Sequence, residues 1–142
     1  MKLNGSGLRR ADWTLLLEVY VERHRSTRFA WGLHDCAQFA IGWVETVRED
    51  LAPREDLAAA LGYSTAAEAA RIIHGGSLTD LVEGWGELPR IQPAFAQRGD
   101  VVLVEINRRE CLALCVGDAA AGPGTTGLEL VPMYHATAAW RV

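Results

Sequence analysis

The stretch Phe29-Ala-Trp-Gly-Leu-His-Asp-Cys-Ala-Gln-Phe-Ala-Ile-Gly-Trp43 places a cysteine at the start of an amphipathic helix. Asp35 is a good N-cap residue, and Gln38, three residues later, completes a variant of the capping box. Cys36 is then the first helical residue. Apolar residues follow it at spacings of three, four, seven, eight and eleven, which predicts one buried stripe with the Cys36 thiol facing inward.

The position of Cys36 supports two interpretations. Cysteine is among the most buried residue types and behaves as a small hydrophobe, so core packing is one explanation. The first turn of a helix also presents free backbone N–H groups and a partial positive charge, which stabilise a thiolate and lower its pKa. A cysteine directly after an N-capping aspartate, behind the Trp31-Gly32 turn, is where thiol enzymes of the papain type keep their nucleophile. Both explanations stay open.

Length, composition and charge limit the class of protein. A chain of 142 residues is the size of one compact domain, and we expect a single domain over residues 1–142. The composition, 49% hydrophobic and 23% charged, is ordinary, and a formal net charge of -4 offers no basic surface for nucleic acid. The apolar runs are too short to span a membrane, and residues 1–7 lack the apolar core of a signal peptide, so we expect synthesis and folding in the cytoplasm.

The three cysteines do not suggest a disulfide framework or a metal site. Cys111 and Cys115 share a face of a predicted strand but lie about 13 Å apart at 3.3 Å per residue, which is too far for a disulfide. Neither a Cys-x-x-Cys pair nor a His-x-His cluster is present. We therefore expect no metal and no cofactor.

The residues before Pro89 carry helical periodicity. A first helix, capped by Asp12, is predicted to end near Arg25, and the Cys36 helix follows it. Shorter helices are predicted over residues 54–61, 65–75 and 78–83. Such short helices need to dock on the two longer ones to be stable.

The residues after Pro89 are typical of strands. Val101–Ile106 and Cys111–Val116 are apolar runs without helical period, joined by a polar turn, and they predict a hairpin in the middle of a sheet. Residues 122–127 are predicted to form a loop before a strand at 128–131, and residues 140–142 a last edge strand. The fold class is α+β, with a helical N-terminal half packed on an antiparallel sheet from the C-terminal half.

Five short motifs follow one another along the chain. They are Asp12-Trp13, Trp31-Gly32-Leu33-His34-Asp35-Cys36, Gly62-Tyr63, Arg98-Gly99-Asp100-Val101 and Ala139-Trp140-Arg141-Val142. The Asp35-Cys36 helix start and the downstream strand after Arg98 resemble the NlpC-type branch of the papain-like superfamily, the cell-wall cysteine peptidases. Over nearly its full length the chain is similar to a family of small phage and prophage proteins of unassigned activity. The resemblance implies a papain-like (NlpC-type) single domain.

The resemblance also implies where a catalytic base would lie. In active NlpC-type enzymes the second strand of the hairpin begins with a histidine, and counting back from Val116-Gly117 puts Cys111 at that vestigial base position. The polar residue that orients the histidine falls near Ala119–Gly122, where no side chain can hydrogen-bond a ring nitrogen. Without its base, a thiol enzyme lacks both the group that activates the thiol and the acid that protonates the leaving amine.

Two histidines are candidates for a displaced base. His34 lies two residues before Cys36 on the turn, and His135 follows a predicted strand and could fold back over the cleft. The thiol-enzyme hypothesis therefore takes Cys36 as nucleophile, Asp35 as the supporting helix cap, and His34 or His135 as base. The sequence leaves the enzymatic activity of Cys36 open.

Two functions of different classes follow. The first is a structural or assembly component of a bacteriophage or phage-derived tail tip with a degenerate NlpC-type fold, because the resemblance implies a place among tail genes. Its partners would be other tail-tip or baseplate proteins, and it would pass from the host cytoplasm during assembly to the virion tail. The second is an active cysteine peptidase or amidase that cleaves peptidoglycan peptides during phage entry. The missing base histidine favours the first function.

Overall fold

The computed structural model describes residues 9–30, 35–48, 78–86, 88–106 and 108–142. Within these ranges the α+β class is confirmed, because helices in the N-terminal half precede a six-stranded antiparallel sheet in the C-terminal half. The helices are α1 (Trp13–His24), α2 (Cys36–Val47) and α3 (Leu78–Gly86). The strands are β1 (Arg90–Ile91), β2 (Val101–Ile106), β3 (Arg109–Cys115), β4 (Ala119–Pro123), β5 (Leu128–Pro132) and β6 (Ala138–Trp140).

The first helix has the predicted bounds and the predicted inner face. Leu17 is buried, and the other apolar residues at helical spacing pack against the same core. The prediction that Asp12 caps this helix through its side chain is wrong, because its carboxylate makes no capping hydrogen bond and lies 3.5 Å from Arg10 Nε. Both side chains of that ion pair are about half exposed, so the pair contributes little to the stability of the fold.

The second helix begins at Cys36, as predicted, and its apolar stripe is buried. The Asp35 side chain accepts a hydrogen bond from the Gln38 backbone N–H at 2.9 Å, which satisfies one of the free donors of the first turn. The buried residues of the helix are Cys36, Ala37, Phe39, Ala40, Ile41, Trp43, Val44 and Val47. The inward position predicted for the thiol is therefore confirmed.

The hairpin of β2 and β3 forms the middle of the sheet, as predicted. The strand order is β1-β6-β2-β3-β4-β5, and every neighbouring pair is antiparallel. Both faces of the hairpin are buried, which explains why its residues are apolar without alternation. Helix α2 packs across β3, so the start of α2 lies against the central strands.

Two predictions for the end of the chain are wrong. The last strand, β6, is not at the edge, because it lies between β1 and β2 and its three residues are buried. The edge is the two-residue strand β1, which is too short to show a period in the sequence. Residues 122 and 123, predicted as loop, belong to β4, because Gly122 and Pro123 pair with residues of β5.

Two further predictions concern parts of the chain outside the described residues. The helices expected over 54–61 and 65–75 lie there, as does the Gly62-Tyr63 motif. None of the helices in the described ranges combines the length and the apolar character needed to cross a bilayer.

Candidate functional site

The candidate site is built at the start of α2. Asp35 is almost fully buried and has extended backbone geometry, so its carboxylate folds back over the first turn. Cys36 follows with 8% of its surface exposed. The free N–H groups and the partial positive charge of this helix start lie next to the thiol, where they favour its charged form.

The structure places Cys111 in the same buried cluster as Cys36. Cys111 lies in β3, opposite Val104 of β2, and its side chain is buried. Its Sγ donates to Leu112 O at 3.3 Å. Neither cysteine is in a disulfide. The candidate nucleophile and Cys111 therefore belong to one core, although they are far apart in the sequence.

The pKa values of the two thiols are shifted in opposite directions. The interaction with Cys111 is the largest cause that lowers the pKa of Cys36. Burial acts in the opposite direction, while backbone hydrogen bonding at Leu112 again favours the thiolate. The interaction with Cys36, together with burial and the Cys36 charge, raises the pKa of Cys111. Cys36 is therefore the more acidic of the two thiols.

A glycine of the neighbouring strand lies beside Cys111. A Cβ atom placed on Gly122 of β4 would lie 3.3 Å from Cys111 Sγ and 2.9 Å from Ile106 Cδ1. Any larger side chain would therefore collide with the thiol and with the core beside it. Gly122 packs closely against Cys111. This contact could not be predicted from the sequence, because it depends on strand pairing.

The two candidate base histidines have different positions. His34 lies outside the described residues. His135 is exposed in the 3-10 turn Met133–His135, and its ring contacts Tyr134 at a centroid distance of 4.5 Å. The Met133 N–H donates to Asp118 O at 3.0 Å, which anchors this turn beyond the end of β3 that is remote from Cys111. The structure does not bring His135 to Cys36.

A third histidine lies closer to α2 than the sequence indicated. The His24 ring packs beside Tyr20 at 4.6 Å and against the edge of Phe39 at 5.7 Å. Burial lowers the pKa of His24, with a smaller contribution from Arg23. The Tyr20 hydroxyl donates to Phe39 O at 2.7 Å, so this aromatic cluster ties α1 to the first turns of α2.

A buried polar network fixes α2 to the sheet. Trp43 Nε1 donates to Gly99 O at 2.8 Å in the turn before β2. Asp100, in the same turn, is fully buried and accepts from Arg9 Nη2 at 2.8 Å. Arg9 also donates to Val142 O at 2.8 Å. The part of Arg9 in this network was not predictable, because an arginine before the first helix carries no local pattern that indicates such contacts.

The described part of the chain holds no group of three or more His, Cys, Asp or Glu side chains placed to bind a metal ion. The groups that the site offers for chemistry are its thiols, its helix start and its backbone donors.

Fold and site together define an α+β protein with one buried thiol at a helix start and a second in the strand on which that helix packs. Residues 8–142 match a family described as a domain of unknown function (DUF6950), and the chain belongs to that family. No curated protein shows a significant match to the chain. The family description assigns no activity, so a function has to be argued from the chemistry of the site.

We expect replacement of Cys111 by alanine to move the alkylation of Cys36 to higher pH. The variant loses the interaction that contributes most to the lowered pKa of Cys36, so that pKa rises and the reaction of Cys36 at pH 7.5 slows by about three- to tenfold. The measurement is the rate of iodoacetamide labelling of Cys36 against pH, read by peptide mass spectrometry.

The matched control is Cys115→Ala, which removes a buried β3 cysteine that bonds to Gly117 O at 3.4 Å. It should leave the Cys36 profile unchanged. His34→Ala and His135→Ala should do the same, and a large shift in either would favour the thiol-enzyme hypothesis. An unchanged profile in Cys111→Ala would contradict the effect of Cys111 on the pKa of Cys36.

Proposed function

We propose that this protein is a structural or assembly component of a bacteriophage or phage-derived tail tip, built on a degenerate NlpC-type, papain-like domain. Two observations support the proposal. The motif resemblance indicates a phage tail protein, and the chemistry of the site indicates that the domain lacks a catalytic base. The observation that carries the proposal is that the Cys111 side chain is buried in the same core cluster as Cys36. A thiol occupies the place at the nucleophile where a peptidase needs an imidazole.

A second thiol is a poor substitute for a base. A base must accept the proton of the nucleophile and return it to the leaving amine. Because its pKa is raised, Cys111 stays protonated beside Cys36, and it accepts no proton in that state. Removal of the base from a nucleophile–base pair costs several orders of magnitude in rate. A role that depends on binding surfaces has no such requirement.

The alternative function is a cysteine peptidase or amidase that cleaves peptidoglycan peptides. The specific observation in its favour is the lowered pKa of Cys36 at the start of α2, caused first by the Cys111 hydrogen bond. In this alternative His34 would supply the displaced base, because the turn that carries His135 is anchored at Asp118, away from Cys36. Incubation of purified protein with peptidoglycan tests it directly, since release of peptide fragments should require Cys36.

The test of the proposed function uses a phage or prophage that encodes the protein. We expect a Cys36→Ala phage to assemble infectious, tailed particles, because the alanine preserves the surfaces of the protein. Deletion of the protein should give tailless or uninfectious heads. Electron microscopy, infectivity and immunodetection of the protein in purified particles provide the readout, with Cys115→Ala as the matched control.

Two outcomes contradict the proposed function. One is peptide release from peptidoglycan at ordinary enzymatic rates that disappears in Cys36→Ala. The other is absence of the protein from purified particles combined with normal tails after its deletion.

A further inference from the structure

Helix α1 exposes two large aliphatic side chains on the face opposite the core. Leu15 and Val19 are both more than half exposed. They lie one helical turn apart, so they are neighbours on the surface of the helix. Together with Glu18, Glu22 and Arg23 they line a shallow groove along α1. We call Leu15 and Val19 the aliphatic patch.

A second apolar surface is formed by two 3-10 turns that contact each other, Pro93–Phe95 and Met133–His135. Phe95 is more than half exposed, and Tyr134 is 84% exposed. Arg141 Nη2 donates to Phe95 O at 3.1 Å, which fixes the first turn to the residue after β6. We call Phe95 and Tyr134 the aromatic patch. Aromatic residues are enriched in protein interfaces, and exposed apolar patches mark interaction sites.

The ion pair of Glu18 and Arg98 lies between the two patches. Arg98 Nη2 is 4.0 Å from Glu18 Oε1, and both side chains are well exposed, so the pair by itself contributes little to stability. Glu18 is next to Val19 in α1, and Arg98 follows Phe95 by three residues. Along this surface the order is therefore aliphatic patch, negative charge, positive charge, aromatic patch.

We propose that this surface is a homodimer interface, in which a second copy of the chain packs about a two-fold axis at the Glu18–Arg98 pair. Such an axis places the aliphatic patch of each copy on the aromatic patch of the other. It also places each Glu18 opposite the partner's Arg98, so four charges alternate in sign around the axis. The surface is complementary to itself in charge, which is the requirement for a closed two-fold contact.

The size of the surface indicates a reversible dimer. Four exposed apolar side chains supply a few hundred Å² per copy, whereas a standard interface buries about 800 Å² on each partner. The two-fold axis doubles every contact, and aromatic side chains contribute most per residue in interfaces. We therefore expect a Kd of about 1–100 µM.

The experiment measures the mass of the purified full chain by sedimentation and light scattering, at concentrations from about 1 to 500 µM. The mass should rise with concentration from that of one chain toward that of two. Val19→Asp and Tyr134→Ser change one exposed residue in each patch, and each should weaken association at least about tenfold. Circular dichroism of each variant confirms that it is folded.

Charge reversal tests the two-fold arrangement. Glu18→Arg and Arg98→Glu should each weaken the dimer at least about tenfold, because like charges then face each other across the axis. An equimolar mixture of the two variants should dimerise again, since each introduced charge faces an opposite charge of the other variant. Glu110→Arg is the matched control, because Glu110 is exposed at the other end of β3 from the turn that carries Arg98. It should leave the association unchanged.

Four outcomes would overturn the proposal. A chain that stays monomeric at every concentration would leave this surface to a different protein. A dimer that Val19→Asp and Tyr134→Ser do not weaken would use another surface. Assemblies larger than two chains would show that the contact does not close about a two-fold axis, and a mixture of the charge variants that stays monomeric would contradict the pairing of Glu18 with Arg98. None of these measurements uses phage particles or peptidoglycan, so their failure is independent of the proposed function.

Discussion

Replacement of Asp100 by alanine should lower the free energy of unfolding by about 3–5 kcal/mol, because it removes a buried charge that several groups share. Asp100 accepts from Arg9 Nη2 at 2.8 Å, from the Gln97 N–H at 2.9 Å and from the Val142 N–H at 3.1 Å. Arg141 Nε lies 3.8 Å away. The variant leaves the Val142 N–H buried without this acceptor and deprives Arg9 of its carboxylate.

Urea unfolding measures this effect, and the chain offers a matched control. Asp12→Ala removes a half-exposed carboxylate that lies 3.5 Å from Arg10, and it should change stability by less than about 1 kcal/mol. The double variant Arg9→Met with Asp100→Ala should be less unstable than the sum of the two single variants, because the groups share one network. An Asp100→Ala protein as stable as Asp12→Ala would contradict this account of the turn.

The network matters for the site because it positions α2. The turn that Asp100 stabilises also presents Gly99 O to the indole N–H of Trp43. Trp43 lies two turns after Cys36 on the same helix. We therefore expect Asp100→Ala to expose Cys36 to alkylation at lower urea concentrations than in the wild type.

Replacement of Cys111 by histidine should raise the alkylation rate of Cys36 at pH 6 by at least about tenfold. An imidazole at this position would lie against the thiol and form a thiolate–imidazolium pair, which in papain-type enzymes lowers the thiol pKa to about 3–4. The added volume costs about 1–3 kcal/mol of stability, since Gly122 and Ile106 pack closely there. Iodoacetamide labelling from pH 5 to pH 9 provides the measurement.

Cys111→Asn is the matched control for this variant. Asparagine is polar and smaller than histidine, and it has no group that titrates near neutral pH, so its profile should not gain a step near the histidine pKa. If the folded histidine variant labels no faster than the asparagine variant, Cys111 does not occupy a base position. The variant is not expected to become an efficient peptidase, because Gly122 supplies no side chain to orient the imidazole.

Local patterns made α1, α2 and the central hairpin predictable. The bounds of α1 and α2 follow from an apolar period of 3.6, and Asp35 caps α2 through a bond to a residue three positions away. The hairpin follows from two apolar runs around a polar turn. Each of these features depends on residues that are neighbours in the sequence, so the sequence is sufficient to predict them.

Predictions failed where distant segments decide the structure. The strand β4 contains three alanines, a glycine and a proline, which have low strand propensity, and it forms because β3 and β5 pair with it on both sides. Similarly, β6 is an interior strand only because β1 lies outside it.

The sequence by itself determined that a cysteine begins a capped, amphipathic helix and that apolar strands follow in the second half of the chain. Tertiary structure alone decided what that cysteine contacts. Cys36 shares a buried cluster with Cys111 because α2 packs across β3, and Gly122 lies beside Cys111 because β4 pairs with β3. These contacts depend on the packing of elements that are distant in the sequence, and no local period or spacing encodes that packing.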